Sequence, residues 1–561
     1  MAKSVTKAQI QAYINEYAKC AASFEYFCAI YIMLELPGGD VPFKMYDLQK
    51  TLIDVIEEMK HIIVLKSRQV GISTTIQAYC CWLLVFHANV VVGIISKDGP
   101  EATTFARTIA GMIDKLPNWM KPKGGGQGQR RGFEKRSEQS FILSNGSKCF
   151  AATVNPIAPE KTLRGKAITF LVVDEAAFVN KVEEAWTSMV PALSTSQKQA
   201  KMADVPYGTI ILSTPNKTMG TGAFYYKRYV NAASGNDILT PFVIHWRDIN
   251  ELANDPDWYD TQCKLFNYDQ KKINQELELV FLPSKGSFFD DTICQVLQEH
   301  TRDIIPLSTN RLYNGTIEKY ANPIKGRFYL VGGDTAPEYG ADNSAITVWD
   351  YMTMEQVWEY QGKLKVKDFQ KVIQLAIQMY PGSLIIESNS YGNQLIENLS
   401  DLEECKYLYA ESDSKKGLTT TSRTRPLMMD ALYTYIKENP RCVKSKRLAL
   451  ELVGLVNKKN GKVEADSGCH DDIAMTGAMC SYVRKYDPPF NLIADTPAMD
   501  SFTAICGLND GVKTSSDLIS AVGGKKKPTS GQMLDTILNN PSEHNTNIDQ
   551  TVFINTLDFL N

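Results

Sequence analysis

The segment Lys66-Ser-Arg-Gln-Val-Gly-Ile-Ser-Thr74 has the residue types of a phosphate-binding loop. Such a loop follows a buried strand and opens a helix, so that backbone N–H groups face phosphate oxygens and a Ser or Thr hydroxyl reaches Mg²⁺. Here the apolar run Ile62–Leu65 leads in and a helical pattern follows over Thr74–Phe86. The segment departs from GxxxxGK[ST], because the first glycine is missing and Ile72 stands at the usual lysine position. A cation is still required. Lys66 has the reach of a displaced lysine, and Arg68 offers a forked contact to γ-phosphate oxygens, so residue types leave both open. Gly71 allows close backbone approach. Ser73 is the Mg²⁺ ligand candidate with Thr74 beside it, and Ser67 and Gln69 complete the expected cradle. Taken alone, the loop also fits a structural glycine turn before a helix.

A second group sharpens the chemistry. Phe170-Leu-Val-Val-Asp174-Glu175 is an apolar strand ending in two carboxylates. Asp174 suits Mg²⁺, and Glu175 suits orientation or deprotonation of an attacking water. Another strand, Thr209–Leu212, ends in Ser213-Thr214-Pro-Asn216 and is placed to sense a γ-phosphate. Arg164 fits either a finger entering a neighbouring subunit's site or a surface ion pair. Tyr46 and Gln49 fit either contact with a nucleotide base or an ordinary helix start.

The C-terminal half holds further acids. Asp334 ends the strand pattern Tyr329–Gly333, Asp342 precedes Ala345–Trp349, Glu387 ends Leu384–Ile386, and Asp471–Asp472 open a helix after His470. Two-metal phosphodiester hydrolysis needs carboxylates from separate elements, holding ions about 4 Å apart. The order of a strand Asp, a later strand Glu and a final helix Asp is that of an RNase H-like nuclease. Asp334, Glu387, Asp471 and Asp472 are the expected metal ligands. Lys458–Lys462 spells a hairpin turn whose lysines suit DNA phosphates. Gly417–Arg425 and Lys121–Arg136 are further basic stretches, with solvated loop as the default for each.

Positioning these groups requires a mostly parallel α/β sheet, and short apolar strands do alternate with helical patterns from His61 onward. The spacing predicts a helical region over 1–60, with one packed helix across Phe24–Leu36. An ATPase domain follows over 61–285. A linker is expected over 286–325, an α/β nuclease domain over 326–486, and a loosely ordered tail over 487–561. Lys367–Tyr380 is amphipathic, with Phe369, Val372, Ile373, Ala376 and Ile377 on one face.

Composition is consistent with this. The 561 residues suffice for two or three domains, and 44% hydrophobic with 22% charged residues is ordinary for a globular chain. A net charge of -3 argues against a histone-like binder but permits a local basic groove. No apolar run approaches the roughly 18 residues of a membrane span, and no secretory signal pattern opens the chain. The cysteines are scattered without a CxxC pair, so free thiols are expected and a structural zinc site is not.

Together Tyr46-Asp-Leu-Gln49, Ser67–Thr74, Val173-Asp-Glu-Ala-Ala-Phe178, Ser213-Thr-Pro215, Asp334, Glu387 and His470-Asp-Asp472 resemble the large terminase subunit of tailed bacteriophages, over roughly residues 20–485. The resemblance implies an ASCE-type P-loop ATPase with a lid region at about 217–285, joined to an RNase H-like nuclease. It implies ATP and Mg²⁺, with Mn²⁺ as an option at the nuclease site. It also implies a motor that pumps double-stranded DNA through a portal protein into a prohead and cuts the concatemer at initiation and completion. A small terminase subunit and a pentameric ring are the implied partners, in host cytoplasm and transiently on the prohead, not in the mature virion. Two other readings stay open: a helicase-like translocase and nuclease of repair or restriction, and a non-catalytic nucleotide-binding protein.

Overall fold

The computed structural model describes residues 6–36, 38–123, 132–339, 342–405, 407–412, 414–458, 461–466 and 469–488. The chain forms two compact units, Met1–Ile304 with Val443–Asp471, and Ile305–Cys442 with Asp472–Asn561.

The first unit holds an eight-stranded sheet. Its strands are β1 (His61–Lys66), β2 (Val91–Ser96), β3 (Phe133–Arg136), β4 (Ser140–Leu143), β5 (Lys148–Thr153), β6 (Phe170–Asp174), β7 (Gly208–Ser213) and β8 (Thr240–Ile244). They lie in the order β8-β1-β7-β6-β2-β5-β4-β3. The run from β8 to β5 is parallel, and β4 and β3 extend it antiparallel. A parallel sheet is covered on both faces, which is why these strands are continuous apolar runs. Ile62, Val64, Val92, Val172 and Ile210 face one core, and Ile63, Leu65, Leu171, Val173 and Ile211 face the other. One strand, β7, separates the loop strand β1 from the acid strand β6. That order is the ASCE-type P-loop ATPase fold.

Three expectations for this unit change. The helix expected across Phe24–Leu36 ends at Tyr31, because β-branched Ile32 turns extended and Met33–Leu36 pairs with Gly39–Pro42. Within the expected lid, Thr240–Ile244 is instead an edge strand of the main sheet, and short helices follow it. The expected linker is not one segment. Helix Asp291–Arg302 belongs to the first unit, where Gln298 both accepts from the Phe281 N–H (2.8 Å) and donates to its carbonyl (3.0 Å). Residues 305–325 join the second unit.

The second unit carries β9 (Ser308–Leu312), β10 (Gly315–Lys319), β11 (Tyr329–Asp334), β12 (Ser344–Asp350), β13 (Gln356–Gly362) and β14 (Gly382–Ile386), ordered β9-β10-β13-β12-β11-β14. Tyr313 and Asn314, at φ of 46° and 59°, form the two-residue turn between β9 and β10. Paired positive φ values make it the tight hairpin turn whose twist matches its strands. β11 runs antiparallel to β12 and parallel to β14, and Tyr407–Tyr409 lies along the far side of β14 through Leu384. Helix Val366–Met379 buries Phe369, Val372, Ile373, Ala376 and Ile377, the face its periodicity marks. Helix Asp472–Tyr486 packs across β11 and β12. This is the RNase H-like fold.

Residues 489–561 of the expected tail, the Gly124–Gly126 run and Lys459-Asn460 lie outside the described residues. Among the described residues no helix is long and apolar enough to cross a membrane, and the described cysteines are free thiols.

Candidate active sites

In the first unit, β1 delivers Lys66 to the head of the loop. Its side chain is nearly buried, and its Nζ lies 3.0 Å from Glu175 Oε1. Glu175 follows β6 in the left-handed region, φ 49°, so successive carboxylates of the pair point differently. The Asp174 Oδ1 accepts from the Glu175 N–H (3.1 Å) and from the Ser73 hydroxyl (3.3 Å). Burial pushes the Asp174 carboxyl up; Glu175 adds to this while Lys66 and Ser73 oppose it, leaving it at about 6. Adjacent oxygens around an octahedral Mg²⁺ stand about 3 Å apart, so Ser73 and Asp174 fit as neighbouring ligands of that ion.

The loop is braced from outside. Gln49 is fully buried; its amide accepts from the Tyr46 N–H (3.0 Å) and donates to the Val70 carbonyl (3.0 Å). Gly71 sits at φ 73°, and a Cβ there would stand 2.7 Å from Gln49 Nε2. Gln49, expected at the nucleotide, thus bonds the loop's backbone. Ser67 is also turned into the protein: its hydroxyl donates to the Leu277 carbonyl (2.7 Å) and accepts from the Trp246 N–H (3.2 Å). Arg68 is half-exposed and paired with Glu276 at 3.1 Å. Gln69 lies at φ 60° in the turn, and Thr74 is in the first turn of helix Ile72–Phe86. Ile72 is buried in the core beside β1, which accounts for the absent lysine.

At the end of β7, the Ser213 hydroxyl accepts from the Ala177 N–H (3.2 Å), which fixes the turn after Glu175. The neighbouring Thr214 hydroxyl is buried without a partner among the described residues, next to strands β1 and β6. Arg164 is exposed between Leu163 and Gly165, both at positive φ, and no carboxylate among the described residues pairs with it. On the other side of Ser67, Glu278 is buried among His245 (3.4 Å), Arg247 (3.5 Å) and Arg302 (3.3 Å), beside a cavity of about 320 Å³ also lined by Leu65, Tyr229 and Phe281. Burial pushes the Glu278 carboxyl up, but His245, Arg247 and Trp246 outweigh it and hold the group at about 2.

In the second unit, Asp334 ends β11 opposite Ala345 of β12. Glu387 follows β14, and its N–H donates to the Gly333 carbonyl at 3.1 Å, so the two acids stand at neighbouring strand ends. The Asn389 amide donates to Glu387 Oε2 (2.8 Å) while its oxygen caps the next helix through the Gly392 N–H (2.7 Å). Asp472 is brought in by close packing. A Cβ on Gly332 would stand 2.6 Å from the Thr476 carbonyl, so only glycine lets that helix lie against β11. One turn earlier, buried Asp472 accepts from the Asn343 N–H (2.9 Å) and side-chain amide (3.3 Å).

Asp342 and Asp472 offer carboxylate oxygens within 4.8 Å of one another. Oxygens across one Mg²⁺ stand about 4 Å apart, so an ion between them is a small closure. The Asn343 Oδ1 is buried without a partner among the described residues, which also suits a cation or its water shell. Asp342 was not in the ligand set expected from sequence, although its position before β12 was visible. Asp471 and His470 precede Asp472 in the chain, and Asp472 is tied to the sheet through Asn343. On the hairpin Leu455–Asn457/Val463–Ala465 of the first unit, Lys458 and Lys462 pair with Asp466 and Glu464, at 3.0 and 2.6 Å. Both are neutralised within their own hairpin.

No protein-family model matches the sequence. Among solved structures, the large terminase of a thermophilic bacteriophage is 11% identical over 79% of this chain and 99% of its own, with a TM-score of 0.33. The large terminase ATPase domain of Thermus phage P74-26 is 18% identical over 43% of this chain and 95% of its own, with a TM-score of 0.32. The large terminase nuclease of the thermophilic phage G20c, with bound magnesium, is 15% identical over 36% of this chain and 98% of its own, with a TM-score of 0.26. The solved structures to which the chain is similar are large terminases of bacteriophages, whole or as ATPase or nuclease domains.

Proposed function

We propose that the chain is an ATP-driven motor that packages double-stranded viral DNA and cuts it with a metal-dependent endonuclease. The observation that carries the ATPase assignment is the Lys66–Glu175 pair beside the Ser73–Asp174 pair, all at one edge of an ASCE-ordered sheet. Lys66 exchanges Glu175 for phosphate oxygens when nucleotide enters, which frees Glu175 to orient the attacking water. Ser73 and Asp174 hold Mg²⁺, which neutralises phosphate charge when bound. Thr214 has an uncommitted hydroxyl for the γ-phosphate side. Arg164 serves a neighbouring copy's site in this reading, supported by its exposure and by the lack of a carboxylate partner among the described residues. Lys66 rather than Arg68 is the loop's cation, because Arg68 is drawn away to Glu276.

In the second unit, Asp334, Glu387, Asp342 and Asp472 hold the nuclease metals, with Asn389 orienting Glu387 and Asn343 orienting Asp472. Two ions held by these carboxylates would supply polarisation of the scissile phosphate and stabilisation of the attacking and leaving oxygens. The order of motifs along the chain, with both sites on one polypeptide, supports a packaging role. That role includes translocation through a portal into a prohead, a small terminase subunit and a pentameric ring in host cytoplasm. Asp334→Asn is expected to abolish Mg²⁺- or Mn²⁺-dependent cutting of plasmid DNA and to leave ATP turnover at the wild-type rate. Cutting that persists in this variant would refute the nuclease site.

A further inference from the structure

The basic stretch Gly417–Arg425, with Lys415 and Lys416 just before it, is unused by these assignments, yet the fold ties it to Glu387. Leu418 forms a parallel bridge with Glu387: the Leu418 N–H donates to the Ile386 carbonyl and the Ser388 N–H donates to the Leu418 carbonyl, both at 2.8 Å. Gly417 makes this approach possible. It sits at φ 85°, and a Cβ there would run into Ile396 and stand 3.0 Å from the Ile386 carbonyl.

The rest of the stretch is held in shape by its own polar groups. Glu411 accepts from the Thr419 N–H (2.6 Å) and hydroxyl (3.2 Å) and pairs with Lys415 at 2.6 Å. The Thr424 hydroxyl donates to the Thr419 carbonyl (2.6 Å), and the Thr421 hydroxyl accepts from the N–H groups of Arg423 (3.2 Å) and Thr424 (3.0 Å). Lys415 is therefore committed to Glu411, and the backbone around Arg423 is fixed. Lys416 and Arg423 are exposed, and no carboxylate among the described residues pairs with either.

A cluster of four acids repels a polyanion except where metal ions neutralise the scissile phosphate. The flanking phosphates still need cations close by. We propose that Lys416 and Arg423 grip the DNA phosphate backbone next to the cut and hold the strand against Glu387; this rests on the nuclease reading of that site. Lys416 acts as a point charge and Arg423 as a planar fork. Contacts of this kind set position without reading sequence.

The test uses the full-length protein and a fluorescein-labelled duplex of random sequence, titrated by anisotropy at several salt concentrations with Ca²⁺ replacing Mg²⁺. Each phosphate contact adds about 0.9 to the slope of log affinity against log salt. The Lys416→Ala/Arg423→Ala variant should lower that slope by about 2 and weaken binding at least about tenfold near 0.1 M salt. The charge-preserving Lys416→Arg/Arg423→Lys variant should keep the slope. An unchanged slope and affinity in the alanine variant, at an unchanged melting temperature, would overturn the grip. So would an equal loss in both variants, since charge would then not be the cause. Failure of the nuclease reading shows separately, as persistent cutting by Asp334→Asn, while the salt slope continues to decide the grip.

Discussion

At Ile72 the side chain lies in the core with 1% exposure, while Lys66 emerges from β1 next to Glu175. A lysine at 72 would leave an ammonium among apolar groups, which favours Lys66, at the strand end, as the proposed cation. Lys66→Met is expected to slow ATP turnover by about 100-fold, the scale of losing one charged stabiliser. Arg68→Ala, which breaks only the exposed pair with Glu276, should cost less than about tenfold. Steady-state phosphate release decides between them, and the reverse ranking would move the role to Arg68. Glu278 offers a separate check. Its carboxyl is held at about 2 in the fold, against 4.5 for an unperturbed group. The stabilisation is therefore complete above about pH 4.5 and is lost as pH falls through about 2. Glu278→Gln should lower stability by about 2–4 kcal/mol at neutral pH. The gap to wild type should close on acidification, followed by thermal melting from pH 7 downward. A gap that is constant with pH would contradict the ion cluster.

Helix Asp472–Tyr486 reaches the sheet only because Gly332 has no side chain. Gly332→Ala should force that helix away from β11 and cost roughly 1–3 kcal/mol, as overpacking does. Asp472 moves with the helix, so metal-dependent cutting should fall further than the melting shift alone explains. Normal cutting in a destabilised variant would show that Asp472 is not a ligand. The elements that position both sites were largely legible in sequence, because strands such as Phe170–Asp174 are buried on both faces and therefore uniformly apolar. Elements at the sheet margins were not. Phe133–Arg136 buries only its first residue, and Thr240–Ile244 carries a proline and sits at an edge. Helix Val182–Met202 was hidden by an internal Pro191 and a mixed polar surface. Within the expected linker, Tyr313 and Asn314 form a tight turn joining two strands, and turn-forming residues look the same in a linker as in a hairpin. Among site residues, acids at strand ends were visible as such. The parts played by Gln49, Asn343 and Asn389 depend on partners distant in sequence or on a turn's exact shape, and no residue type announces them.

At the scale of the whole molecule, one chain carries two candidate sites on two sheets of different topology. In the first unit the segment Glu276–Glu278 meets the loop through Arg68 and Ser67 and then meets Arg302 through Glu278. In the proposed mechanism Glu175 activates water for an ATP-driven DNA motor. DNA-stimulated ATP turnover of Glu175→Ala, measured alongside binding of a fluorescent ATP analogue, tests it most directly. The expected result is loss of turnover to background with nucleotide still bound. Turnover at the wild-type rate in that variant would contradict the account.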